Sequence, residues 1–248
     1  VAAGGRVVAF DRDPAAELAA DLQPHVTLVR RNFAELADAL DDLGIDAVDG
    51  ALFDLGVSSM QFDRAERGFS LMRDGALDMR MNGQEGPSAY DLLAETSERE
   101  LADTIFTFGE ERAARRIAHA IVAARTANRL PATTLELARL VAGVVQVRGK
   151  RERVHPATRT FQALRIAVND ELGSLERGLD AAVARTRAGG RIAAISFHSL
   201  EDRIVKHRFR GDERVRPVNK KPLLPGDDEL ARNPRARSAK LRVAERNP

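Results

Sequence analysis

Short apolar runs recur along the start of the chain, each closed by polar residues. Val7–Phe10 reads as a buried strand ending at Asp11-Arg12-Asp13-Pro14, where Pro14 suits the first turn of a helix. Val26–Val29 reads as a second strand, and Leu36, Leu40 and Leu43 mark the apolar face of a following helix. Val48–Phe53 is the third expected strand, ending at Asp54-Leu55-Gly56. Strands alternating with short helices predict a doubly wound, mostly parallel α/β sheet.

From Gly68 the rhythm changes. Ser97 to Arg125 reads as helical, anchored by Leu101, Ile105, Phe108, Ile117 and Ile121. Leu135–Val145 is a further helical stretch, opened by Thr133 or Thr134 with Glu136 in capping range. No strand pattern interrupts Gly68–Arg153, which predicts a helical insertion large enough for its own small core. The α/β pattern then resumes. Helical faces run through Phe161, Leu164, Ile166, Leu172, Leu175 and Leu179. Ala188-Gly189-Gly190 is expected to turn into a strand at Arg191–Phe197, and Leu241–Ala244 forms the last strand. Arg208–Asp228, charged and Pro-rich, is a poor core segment.

Composition narrows the classes. Of 248 residues, 44% are hydrophobic and 31% charged, which argues against wholesale disorder. With no Cys, disulfides, thiol catalysis and cysteine-ligated metals are excluded. Neither a membrane-spanning run nor a signal peptide is visible, which fits a cytoplasmic protein with no membrane partner. The net charge of +2 hides an asymmetry: residues 1–110 carry a net −13 and residues 111–248 a net +15. Arg148, Lys150, Arg151 and Arg153 cluster before His155, and basic residues return from Arg203 to Lys221 and from Arg232 to Lys240. Such clusters bind phosphates without reading bases; an anionic metabolite, a membrane surface or a solvated face are the alternatives. Aromatic residues are only 4%, so one base held in a pocket is more compatible than an extended stacking platform.

Three strand ends carry candidate chemistry. Asp11 can accept from ribose hydroxyls, as acidic strand ends do in dinucleotide folds, or it can simply cap a turn. Asp54 opens Leu55-Gly56-Val57-Ser58-Ser59-Met60-Gln61, where Gly56 allows close approach and Ser58, Ser59 and Gln61 add donors and acceptors. An ordinary turn and helix cap is the alternative there. Ser196-Phe197-His198-Ser199-Leu200-Glu201-Asp202 has the residue types of a hydrolase but no Gly-x-Ser-x-Gly elbow. The plainer reading is a pocket rim, with Glu201 or Asp202 capping the next helix. His198 and His207 have no metal-ligand spacing, and no metal is expected.

In order along the chain stand Asp11-Arg12-Asp13-Pro14, Asp54–Gln61, Glu66-Arg67-Gly68-Phe69-Ser70, Met72–Met81, Gly109-Glu110-Glu111, His155–Ile166, Ser196–Asp202 and Asn233–Ser238. This series closely resembles the bacterial RsmH (MraW) family, across essentially the whole chain. The resemblance implies a Rossmann-like class I S-adenosylmethionine-dependent methyltransferase sheet, split by a helical domain that recognises RNA. Its boundaries carry over as 1–72, 73–169 and 170–248. The family's first strand and Gly-rich loop, with a Gly-Gly-His element, are expected upstream of Val1. Asp11, Phe33, Asp54 and Gln61 match cofactor-contacting positions. Phe33, by itself a core residue, becomes the apolar wall beside adenine.

The implied reaction methylates N4 of a cytidine in 16S rRNA at the small-subunit decoding site. That amine is a poor nucleophile because its lone pair delocalises into the ring, so loss of its proton needs an acceptor. Asp54 is the expected acceptor or, alternatively, holds only the cofactor amino group. Ser58, Ser59 and His198 are expected to position the base. RNA contacts are expected from Lys150, Arg151, Arg153, Arg159 and Arg165. The partner is 16S rRNA within the small subunit or a late assembly intermediate, and a homodimer is compatible. An NAD-dependent oxidoreductase and a noncatalytic rRNA-binding or assembly factor are the competing classes.

Overall fold

A computed structural model describes residues 4–145 and 155–248, so the expected contacts Lys150, Arg151 and Arg153 lie outside the described residues. Two compact units form: Val1–Gly56 with Leu172–Pro248, and Val57–Glu171. The second unit extends beyond the expected 73–169 insertion at both ends.

In the first unit, strand β1 (Val7–Phe10) pairs in parallel with β2 (Val26–Val29), Val7 opposite Val26 and Phe10 opposite Val29. A second sheet has the order β3-β4-β6-β5. Its strands are β3 (Val48–Asp54), β4 (Thr186–Ser196), β5 (Val215–Pro217) and β6 (Lys240–Arg246). β3 and β4 run parallel, with Asp54 opposite Ile195, whereas β6 is antiparallel to both β4 and β5. The α/β class holds; the described residues form a parallel two-stranded sheet and a mixed four-stranded one, β6 being the strand that runs against its neighbours. Pro217, which lacks an N–H, sits on the edge strand β5, where a missing donor is tolerated.

Two local expectations also change. No helix follows Pro14. Asp11 Oδ1 accepts from Asp13 N and Asp13 Oδ1 from Ala15 N, side-chain turns that compete with a helix start. The expected turn at Ala188–Gly190 instead lies inside β4, where the register shifts between Val48 and Gly50. Gly189 takes φ +77°, and a Cβ on Gly190 would lie 2.7 Å from the Asp49 carbonyl, so the two glycines admit a bulge that other residues would strain.

Helices α1 (Leu36–Asp42), α8 (Glu171–Arg185) and α9 (Ser199–Gly211) supply helical faces to this sheet. Leu36, Leu40, Phe53, Leu175, Leu179, Ile192, Val205 and Phe209 form one buried cluster, against which Val8, Phe10 and Phe33 pack. Arg208–Asp228, expected to be a poor core segment, does contribute to the core: Phe209 and Val215 are buried in this cluster and β5 joins the sheet, whereas α10 (Asp227–Arg232) buries no residue.

The second unit is helical, comprising α2 (Ser59–Asp63), α3 (Ala89–Glu95), α4 (Glu98–Gly109), α5 (Ala114–Thr126), α6 (Thr134–Val144) and α7 (Thr158–Asn169). Ser88 with Asp91, Ser97 with Glu100 and Thr133 with Glu136 form reciprocal capping boxes at the starts of α3, α4 and α6. Leu93, Leu101, Ile105, Ile117, Ile121, Leu137 and Leu164 are wholly buried in its own core. The helical stretch read from Ser97 to Arg125 is two helices. Glu110 adopts φ +50° and ends α4, while a Cβ on Gly109 would lie 2.6 Å from the Arg159 carbonyl. Close approach of α7 therefore sets where α4 stops.

Candidate active site

The carboxyl ends of the strands in the first unit are joined by a chain of contacts. At the end of β1, Asp11 N donates to the Val29 carbonyl at the end of β2 (3.2 Å). Beyond β2, Asn32 Oδ1 accepts from Ala34 N (2.9 Å) and opens a single 3₁₀ turn, while its amide donates to Ser174 Oγ on α8 (2.8 Å). These bonds hold Phe33 edge-on against Phe53 of β3, ring centroids 5.6 Å apart at 85°. The pair leaves no room for a side chain on α8: a Cβ at Gly178 would come within 2.7 Å of the Phe33 ring. Phe33 is thus half-buried, packed against the core with the rest of its side chain exposed.

Strand alternation turns Phe53 inward and Asp54 outward. Next, Leu55 N donates to the Ile195 carbonyl of β4 (3.1 Å), and Gly56, at φ +92°, lies under Phe197, whose ring a Cβ would meet at 3.7 Å. Asp11, Phe33, Asp54 and Phe197 therefore all stand at carboxyl ends of strands or in the turns just beyond them, the edge at which open α/β sheets bind ligands. Phe197 was not singled out by the sequence; an aromatic residue directly after an apolar strand was the available signal.

Asp54 stands apart chemically. Among the described residues its carboxylate has neither a hydrogen bond nor an ion pair, and although exposed at the strand end, it loses enough solvation to raise its pKa above the ordinary 3.8. An unpaired, partly desolvated carboxylate fits a cationic or amine-bearing ligand. Its ionisation also opposes folding. A raised native pKa gives a stabilising contribution that is complete below the ordinary value and is lost as pH rises through the native one. Asp54→Asn, always neutral, is therefore expected to melt no lower than the parent at pH 7, with any advantage vanishing as pH approaches 3.8. Thermal unfolding followed across that range checks this; a lower melting temperature at pH 7 would mean that the carboxylate has a stabilising partner.

The other expected residues have local structural work. In the second unit Ser58 caps α2: Gln61 N donates to Ser58 Oγ (3.3 Å) and Ser58 N to Gln61 Oε1 (3.0 Å). Gln61 is buried, and Ser59 is the first residue of α2, its side chain outside the described atoms. His198 caps α9. Its Nδ1 accepts from Glu201 N (3.4 Å), and its Nε2 lies 3.2 Å from Glu201 Oε1. Glu201 is buried and accepts from Phe197 N (2.8 Å), so of the two expected capping carboxylates Glu201 completes the capping box, with His198 rather than an acid as the N-cap residue. Burial would raise the pKa of neighbouring Asp202, but the hydrogen bonds and charge of Arg242, with Lys240, bring it below its ordinary value. Arg242 Nε lies 2.7 Å from Asp202 Oδ1, clamping α9 to β6.

Of the expected RNA contacts, Arg159 is exposed and donates one Nη1 bond to the Glu110 carbonyl (3.2 Å). Arg165 instead forks onto Glu171 at 2.7 and 2.8 Å with both side chains largely buried, so the guanidinium edge a phosphate would need is engaged.

Comparison with known proteins gives a concordant picture. The profile of the MraW methylase family matches residues 2–247. The chain is 52% identical over 266 aligned positions to "Ribosomal RNA small subunit methyltransferase H" of Rhodopseudomonas palustris (strain TIE-1), covering 98% of this chain and 79% of that protein. The protein of the same name from Geobacter sulfurreducens is 50% identical over 265 positions, covering 98% and 85%. That from Methylobacterium sp. (strain 4-46) is 52% identical over 266 positions, covering 97% and 78%.

Proposed function

Because the chain belongs to the MraW methylase family, we propose that it is an S-adenosylmethionine-dependent methyltransferase of small-subunit ribosomal RNA. The mixed α/β sheet with flanking helices is consistent with the class I fold of such enzymes. The acceptor is the exocyclic N4 of a cytidine in 16S rRNA at the decoding site, within the small subunit or a late assembly intermediate, in the cytoplasm. No described helix is long and apolar enough to cross a membrane. The observation that carries the reading at residue level is the unpaired, desolvated Asp54 at the end of β3.

When bound, S-adenosylmethionine supplies a methyl group made electrophilic by its sulfonium. The residues present suit such a ligand: Asp11 offers a carboxylate for ribose hydroxyls, and Phe33 an apolar face for a purine. Asp54 accepts either from the amino group of the cofactor or from the cytosine N4, taking its proton. Gln61 is the remaining candidate for contacting the cofactor; its Oε1 accepts from Ser58 N. Ser58, Ser59 and His198 are the candidates for positioning the base. The helical unit, through Arg159 and the cluster Lys150, Arg151 and Arg153, engages the RNA.

Full-length protein incubated with radiolabelled cofactor and unmethylated small subunits, followed by nucleoside analysis of the rRNA, tests this. N4-methylcytidine at one site is expected. Subunit binding without methyl transfer would favour an assembly factor, and cofactor-dependent redox chemistry an oxidoreductase.

A further inference from the structure

Arg112, Arg115 and Arg116 recur at i, i+3 and i+4 around the start of α5, and all three are exposed. Arg115 and Arg116 stand on the exposed side of the first turn of α5, away from the wholly buried Ile117, Ala118 and Ile121, and Arg112 is exposed in the turn just before the N-cap Ala113. None of the three has a hydrogen bond or ion pair among the described residues. Arg64, Arg129 and Arg139 of the same unit are likewise exposed but stand singly in sequence, whereas Arg125 donates to the carbonyls of Leu93, Ala94 and Thr96, and Arg67 to those of Arg80 and Met81. Arg159 joins the group through its bond to the Glu110 carbonyl, two residues before Arg112.

Folding gives no reason for this cluster. The first turn of α5 contains no acidic residue, and cations there oppose the helix dipole. The Glu111 carboxylate is buried and accepts from Ala113 N (2.7 Å), so it does not screen the face from outside. Glu110 is the acidic neighbour in sequence, and Glu98, at the start of α4, lies 3.3 Å from Nδ1 of His119, farther along α5.

We propose that Arg112, Arg115, Arg116 and Arg159 form a docking surface for the phosphate backbone of the RNA substrate. The inference rests on the rRNA-methyltransferase reading and names where the helical unit meets that RNA. Guanidinium forks pair with phosphate oxygens in a bidentate manner. No aromatic residue interleaves them, so the surface grips backbone and leaves base recognition to the strand-end site.

The test uses full-length protein and small subunits across a salt series. Replacing Arg112, Arg115 and Arg116 by Glu is expected to weaken subunit binding at least tenfold. Three lost phosphate contacts should flatten the slope of log affinity against log salt by roughly two units. Replacement by Lys, which keeps the charge but not the bidentate fork, keeps the salt slope and loses less affinity than the Glu variant, while cofactor binding and thermal unfolding match the parent in both variants. Equal subunit affinity and slope in the Glu variant would overturn the surface. Arg115→Cys introduces a single cysteine among these 248 residues, and a photo-crosslinker attached there reports what lies against this surface. Capture of rRNA is expected; capture of a ribosomal protein, or of nothing, would overturn the proposal. The two readings fail separately. A parent that binds through these arginines yet transfers no methyl group refutes the enzyme reading, whereas a Glu variant that binds and methylates like the parent refutes only the surface.

Discussion

Asp54→Asn is expected to slow single-turnover methylation of small subunits by about 10²–10⁴-fold, the range a positioned general base contributes. Asparagine keeps the size and one acceptor oxygen but can neither take a proton nor hold a cation. The parent carboxylate has no protein partner among the described residues, so the substitution breaks no native ion pair, and the loss can be read as chemistry. Subunit affinity should stay near the parent value. The pH profile adds an independent signature. As pH falls toward the raised pKa of Asp54, the parent's chemical step should decline, whereas the slow variant should stay flat through that limb. If Asp54 only orients the cofactor amino group, cofactor affinity drops instead and the chemical step at saturation is unchanged, which would remove it as the base.

Asp11→Ala is expected to weaken cofactor binding by about 1.5–3 kcal/mol, roughly 10- to 150-fold, the loss typical of hydrogen bonds to a charged group. Calorimetry on folded parent and variant measures it. Asp11 also accepts from Asp13 N at 2.8 Å, so alanine loosens the turn as well as deleting the ribose acceptors. Asp11→Asn separates the two effects, because its amide oxygen can keep the Asp13 bond while the charge is gone. An intermediate affinity is expected for Asn, with RNA binding unchanged in both. Parent-like cofactor affinity in Asp11→Ala would remove this carboxylate from the ribose role.

Much of the local structure was readable because it depends on near neighbours in the chain. The strands Val7–Phe10 and Val26–Val29 and the cap of α6 by Thr133 with Glu136 were legible from apolar runs and one side-chain spacing. The break at Glu110 was not, since it depends on α7 packing closely over Gly109 from a segment far along the chain. Strand direction was equally hidden. An apolar run is the same whether its neighbour is parallel or antiparallel, so the reversal of β6 against β4 had no local signal.

For the site, the amino-acid order alone determined the family, the acidic strand ends Asp11 and Asp54, and the excess of positive charge in the later part of the chain. Those follow from residue identity and spacing. Only tertiary structure decided how each side chain is used. Phe33 and Phe53 meet because Gly178 of α8 leaves them space. Arg165 is held by Glu171 while Arg112, Arg115 and Arg116 remain open to solvent. A guanidinium's partner, and the solvation a carboxylate keeps, are set by which distant segments fold against it, and that is a property of packing rather than of sequence neighbours.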